Sequence, residues 1–213
     1  MVEMEECPFC DCPENPRTTF DISSPVDEWG DVLLKPALGM LVPGYLLAIT
    51  RDHHTSFAQL DRQRLSAINQ RLNLYESMLE ERFGRYFRVE SGSDSITTHG
   101  SGGCIDHAHM HLIPADEDVG LHIQEQLPWQ QLDSYEDLAE FRDNPYIYLG
   151  RLAMHYVVPD PRLHGQWARR QVATVRGLEE WDWAVDPGED ELHATLERLE
   201  DFPLAIFHWE IEK

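Results

Sequence analysis

The longest periodic stretch of the chain begins at Asp61, where Leu65, Ile68, Leu72, Tyr75, Met78, Leu79 and Phe83 step by three and four and Gly84 ends the run. That spacing gathers the apolar side chains on one stripe of a long helix. Ahead of it, apolar runs at 31–34 and 38–50, broken by Pro36 and by Pro43-Gly44, predict short antiparallel strands joined by turns. Behind it, 85–90 alternates as a strand does, 91–103 is too rich in Gly, Ser and Thr for anything but a loop, and 105–113 resumes as strand. Past Pro114 the pattern predicts a short helix near 134–142, a strand near 146–158, a helix near 166–176 and an acidic helix near 189–201. The first sixteen residues, with Pro8, Pro13 and Pro16, read as loop.

The strand at 105–113 carries His107, His109 and His111, separated by Ala108 and Met110. Side chains at i, i+2 and i+4 of a strand share a face, so the three imidazoles line one side while Ala108, Met110 and Leu112 face a core. Three imidazoles can chelate one transition metal, or one can act as a nucleophile while others bind phosphate and metal. The segment Thr97-Thr98-His99-Gly100-Ser101-Gly102-Gly103 lies immediately upstream, and such Gly-rich backbone with hydroxyls makes a nest of amide donors for phosphate oxygens. A phosphate pocket beside a row of imidazoles favours attack on phosphorus.

Composition narrows the partners. The 213 residues suit one domain or a domain with an elaborated tail. The 39 acidic against 17 basic residues give a net charge of −22, which repels nucleic acid polymers. Lys35 and Lys213 are the lysines, so a Lys-bearing phosphate loop is absent and an anionic ligand falls to His, Arg and backbone amides. No run of eighteen apolar residues and no leader pattern is present, so no membrane association and a cytoplasmic location are expected. Cys7, Cys10 and Cys12 crowd into six residues, and in a reducing compartment a Cys-x-x-Cys pair suits metal or redox chemistry better than a disulfide. It supplies half of a tetrahedral zinc site.

His107 to Ile113 match without a gap the His-apolar-His-apolar-His signature of the histidine triad superfamily, which this chain resembles. The resemblance extends back through Val42-Pro43-Gly44-Tyr45-Leu46-Leu47-Ala48-Ile49-Thr50-Arg51-Asp52-His53 and the long helix, about half the chain in all. It implies an α+β fold, an antiparallel sheet with one long helix, with residues 1–120 as the nucleotide-binding catalytic domain. Residues 121–213 would be a mainly helical C-terminal extension packed on it. It further implies His109 as the nucleophile on the α-phosphorus of a nucleotide, and His111 as a second catalytic group that binds the α-phosphate or the leaving oxygen. Thr98, Ser101, Gly102 and Gly103 would complete the phosphate site.

Members with an N-terminal Cys-x-x-Cys, such as galactose-1-phosphate uridylyltransferases, resemble the chain further. Their pattern implies a structural zinc on Cys7, Cys10, His53 and His107, with Cys12 and His54 as spare ligands. Gly103-Cys104 departs from the Gln-Ser many members carry before the triad. His111 stands where the uridylyltransferase branch has Gln, which favours hydrolysis or dinucleoside polyphosphate chemistry over sugar-nucleotide exchange. The expected activity is a nucleotide hydrolase that cleaves a phosphate anhydride or phosphoramidate. Nucleotidyl transfer or phosphorolysis, a zinc-stabilised protein that only binds nucleotide, and a catalytic metal held by the histidine row remain the alternatives. Arg169 and Arg170 are expected to pair with surface carboxylates more than with phosphate. Trp181, Trp183, Phe202, Phe207 and Trp209 are expected in the core or a homodimer interface, and Asp106 as a structural carboxylate.

Overall fold

A computed structural model describes residues 7, 9, 10, 27–93, 105 and 107–200. Their strands are β1 (Asp27–Trp29), β2 (Val32–Pro36), β3 (Leu46–Thr50), β4 (Tyr86–Gly92), β5 (His109–Pro114), β6 (Gln130–Gln131), β7 (Tyr146–Arg151) and β8 (Met154–Pro159). All join one antiparallel sheet in the order β1-β2-β3-β5-β4-β7-β8-β6. The helices are α1 (Arg62–Phe83), α2 (Glu117–Gln126), α3 (Trp167–Arg176) and α4 (Glu189–Leu199). None of the described helices is long and apolar enough to cross a membrane.

Helix α1 forms where the apolar stripe predicts it. The Asp61 carboxylate accepts the Arg64 N–H at 2.9 Å, and Gly84 closes the other end at φ 86° with its N–H on Glu80 O. Leu65, Ile68, Leu72, Tyr75 and Leu79 are buried against one face of the sheet, with Leu34, Leu46, Ala48, Met110, Leu112 and Tyr148. The one charged intruder in that stripe, Glu76, meets fully buried Arg88 of β4, whose other nitrogens donate to Asn69 and Asn73 at 2.7 and 2.6 Å. Such a pair fixes how α1 sits on the sheet, since removing one partner strands a buried charge and costs about 3–5 kcal/mol.

The opposite face packs Leu47, Ile49, Val89, Ile113, Ile147 and Leu149 against Val119 and Ile123 of α2, Trp167, Ala168 and Val172 of α3, and Leu192 of α4. The sheet is therefore buried on both faces, which is why Leu46–Thr50 and Tyr146–Leu149 read as continuous apolar runs and not as an alternation. β6, β7 and β8 extend the same sheet beyond β4, and position 120 falls within α2.

Several local expectations are corrected. The strand near 146–158 is a hairpin, β7 and β8, reversing beside Leu152 at φ 48°. The helix near 134–142 is a 3-10 stretch at Tyr135–Phe141, and the pattern gives no sign of α2 because its buried apolar pair, Val119 and Ile123, spans a single turn. The strand of the histidines begins at His109 and not at 105, because Ala108 N–H bonds His54 O at 2.6 Å while Ala108 O accepts from Thr50 N–H. Those two bonds draw His107 towards the turn that carries His53.

Candidate active site and metal centre

Register places the histidines. β5 pairs with β3 so that His109 lies opposite Ile49 and His111 opposite Leu47, and Tyr45, two residues before Leu47, falls on the same face. That face is the one covered by the C-terminal helices. The imidazoles are thus less displayed than the alternation suggests: His107 and His109 are buried at 1% and 6% exposure, and His111 is half-buried.

Each ring has a defined partner. His107 Nε2–H donates to Thr50 O at 2.6 Å, so its Nδ1 keeps a lone pair. That nitrogen lies 3.4 Å from Cys7 Sγ and 3.5 Å from Cys10 Sγ, while His53 Nδ1 lies 3.1 Å from Cys10 Sγ. The four donor atoms all fall within 4.8 Å of one another. A tetrahedral zinc with Zn–S near 2.3 Å and Zn–N near 2.0 Å sets S···N edges of about 3.5 Å, so this set fits zinc. The carbonyl behind His107 is the outer partner a ligating imidazole ordinarily has. Cys10 N–H closes a tight turn on Cys7 O at 3.1 Å, which aims both thiols the same way. The sequence-expected quartet is therefore brought together; His54 stays outside it, and Cys12 lies outside the described residues.

His109 Nδ1–H donates to His107 O at 2.6 Å, which leaves Nε2 unprotonated in the neutral ring. Burial lowers its pKa, with the bond to His107 O opposing, so the neutral form is the one present near pH 7. His111 Nδ1 lies 2.7 Å from Tyr45 Oη. Burial first, then His109 and Arg169, hold His111 well below its ordinary 6.5. The three rings do not converge on one point: His107 turns to the cysteines, while His109 and His111 stand edge to face, 5.0 Å apart. A shared metal on the histidine row is thereby disfavoured.

His109 and His111 line a small pocket with Phe9, Ala37, Leu38, Tyr45, Leu47, Ile105, Arg169 and Trp183. Phe9, Tyr45 and Trp183 are among the lining residues that the sequence did not single out for the site. Phe9, the second x of the Cys-x-x-Cys, stands edge-on to His107 and His109 at 5.6 and 5.4 Å. Tyr45 is legible from strand alternation once the β3–β5 register is known. Trp183 gives no local signal; its backbone abuts Gly39, where an added Cβ would meet Trp183 Cα at 2.5 Å. Among the described residues no carboxylate forms an ion pair with Arg169 or Arg170: Arg169 is buried on backbone carbonyls, and Arg170 stacks 3.9 Å over Trp181. Thr98, Ser101, Gly102, Gly103, Cys104, Asp106, Phe202, Phe207 and Trp209 lie outside the described residues.

An antiparallel sheet backed by one long helix thus carries His-x-His-x-His into its central strand, the middle ring held through Nδ1 by the His107 carbonyl. The chain resembles the histidine triad superfamily. No family model and no curated protein matches it. Among solved structures, a hypothetical histidine triad nucleotide-binding protein from Sulfolobus tokodaii is 18% identical, with 52% of this chain and 70% of that one covered at a TM-score of 0.40. A zinc-bound histidine triad family protein from Mycobacterium smegmatis is 14% identical over 65% and 91%, at 0.37. The yeast Ap4A phosphorylase Apa2 is 14% identical over 92% and 81%, at 0.44. Likenesses this distant carry no argument about chemistry, which rests on the site itself.

Proposed function

We propose that this histidine triad-like chain processes nucleotides, and specifically that it hydrolyses a nucleoside phosphate anhydride or phosphoramidate through a covalent nucleotidyl-His109. The supporting observation is the His109 Nδ1–H bond to His107 O, which leaves Nε2 as a lone pair on a ring that lines a pocket with His111. Nε2 attacks the α-phosphorus in line; the P–O or P–N bond to the leaving group breaks, and the imidazole becomes a phosphoryl-imidazolium. His111, with Tyr45 O–H donating to its Nδ1, presents Nε2–H to the departing atom or to the phosphate oxygen. Water then attacks the same phosphorus, releasing nucleoside monophosphate and restoring His109.

Cys7, Cys10, His53 and His107 would hold a zinc ion, which supplies a structural cross-link between the N-terminal turn and the start of β5. Through His107 O, that link also sets the His109 ring. In the division of labour we infer, residues 1–120 carry the reacting groups and 121–213 the cover over them.

The test is intact-protein mass spectrometry after brief incubation with adenosine 5′-phosphoramidate or diadenosine tetraphosphate, wild type beside His109→Ala, with a mildly alkaline quench. A nucleotidyl mass gain or released monophosphate in the wild type alone is expected. Binding of nucleotide with neither adduct nor product would leave a binding protein and refute the enzyme reading.

A further inference from the structure

The cover over the triad pocket contributes a buried charge that, among the described residues, no carboxylate pairs with. Arg169 sits in the first turn of α3, 4% exposed. Its Nε–H donates to Trp181 O at 2.8 Å, one Nη to Leu38 O at 3.2 Å and the other to Gly39 O. These are neutral carbonyls, and no carboxylate forms an ion pair with Arg169 among the described residues. The acid whose charge it does feel, Asp182, is half-buried and engaged by the Gln166 side chain at 2.9 Å and the Ala184 N–H at 3.0 Å, with no ion pair to Arg169. Among the described residues these bonds use three of the five guanidinium N–H groups. The guanidinium carbon stands 5.8 Å over the Tyr45 ring, whose hydroxyl touches His111, and Arg169 lines the same pocket as His109 and His111.

A guanidinium taken out of water is costly without an anion, and three carbonyls satisfy its hydrogen bonds but not its charge. In a chain of net charge −22, that no described carboxylate pairs with this arginine is a feature of its position and not of composition. The same three bonds hold the head rigidly, so the guanidinium that lines the pocket is ordered before any ligand arrives. A planar fork of this kind matches the oxygens of a phosphate.

We infer that Arg169 is a phosphate ligand that the C-terminal segment adds to the triad pocket, and that it selects substrates bearing at least one phosphate beyond the phosphorus attacked. The substrate class is then the nucleoside or dinucleoside polyphosphate, in preference to a phosphoramidate with a single phosphorus. This rests on the proposed reaction at His109. The chemistry is unchanged by it: Nε2–P forms, the bridging P–O bond breaks, and the departing polyphosphate carries the electron pair that Arg169 helps to stabilise.

The experiment compares kcat/KM for diadenosine tetraphosphate and adenosine 5′-phosphoramidate in the zinc-loaded full chain, wild type beside Arg169→Gln and Arg169→Lys, each checked by thermal melting. Loss of one charge-assisted phosphate contact predicts that the ratio of the two kcat/KM values falls by about 10–100-fold in Arg169→Gln. Arg169→Lys, which keeps the charge without the fork, is expected to recover part of it. Equal loss on both substrates would mean that Arg169 only clamps residues 38, 39 and 181, and would overturn the proposal while leaving the reaction at His109 intact. If neither substrate turns over in the wild type, calorimetry with inorganic tripolyphosphate decides: binding lost in Arg169→Gln supports the anion site although the reaction has failed, and equal binding overturns it.

Discussion

Glu90 offers a quantitative check on how the sheet that carries the triad is held. It lies on β4 opposite Met110, the residue between the two pocket histidines, and faces the α1 side of the sheet. One carboxylate oxygen accepts Phe57 N–H at 2.7 Å and the other Tyr146 O–H at 2.6 Å. Burial pushes its pKa up to about 7 from 4.5, against the pull of those two donors. The unfolded chain releases this proton near pH 4.5 while the folded chain keeps it to about 7. The native state therefore binds more protons in between, and stability falls as the pH rises through that window. At about 1.4 kcal/mol per pH unit, the interval amounts to about 3 kcal/mol, fully present below pH 4.5 and lost above about 7.

Buried His155 works the other way. Burial lowers its pKa to about 4, so its contribution is lost as the pH falls from 6.5 towards 4, and the total profile of the wild type can look flat. The perturbation is accordingly Glu90→Gln, whose side-chain oxygen still accepts Phe57 N–H, and the quantity is the difference between the two proteins. Urea unfolding followed by Trp fluorescence between pH 4.5 and about 8 provides it, because His155 contributes equally to both and cancels. The advantage of the wild type over the variant is expected to shrink by about 3 kcal/mol from the acid to the neutral end. A difference that stays constant, or grows with pH, would refute the burial argument.

Three further outcomes are expected. Chelation should strip one zinc from the wild type and lower its melting temperature, whereas Cys10→Ser, lacking a thiolate of the quartet, should bind none and melt at the lowered temperature with or without chelator; a wild type whose melting ignores chelation speaks against the structural role. Tyr45→Phe removes the hydroxyl 2.7 Å from His111, and at about 1–1.5 kcal/mol for one hydrogen bond kcat should drop about tenfold with little change in melting, measured by monophosphate release. Gly39→Ala forces a side chain into φ 60° and within 2.7 Å of Asp186 O, so urea unfolding should show a loss of about 3 kcal/mol.

Much of the site is legible in the residues themselves. Local periodicity is a short-range property of the chain, and it locates α1 with its Asp61 cap and Gly84 stop. The triad spacing puts His109 and His111 on one strand, and the resemblance it carries names Cys7, Cys10, His53 and His107, whose donor atoms do meet. Alternation could not say that the far face would also be covered, because burial depends on which distant segment arrives there. Trp183 meets Gly39 across more than 140 positions, and Arg169 meets Gly39 across 130; no window of sequence contains both partners.

Arg169 shows the division most plainly. From composition, an arginine in so acidic a chain is expected to find a carboxylate, and that expectation is a statement about averages over a solvated surface. The fold places it instead among carbonyls beside His111, where the choice of neighbours follows from the path of residues 37–40 and 181–183. The sequence alone determined which imidazoles and thiols are available and that His109 and His111 stand on one strand. Tertiary packing decided the tautomer of His109, through His107 O, and the charge that faces the pocket, through Arg169, because both depend on backbone carbonyls whose positions only the assembled chain defines.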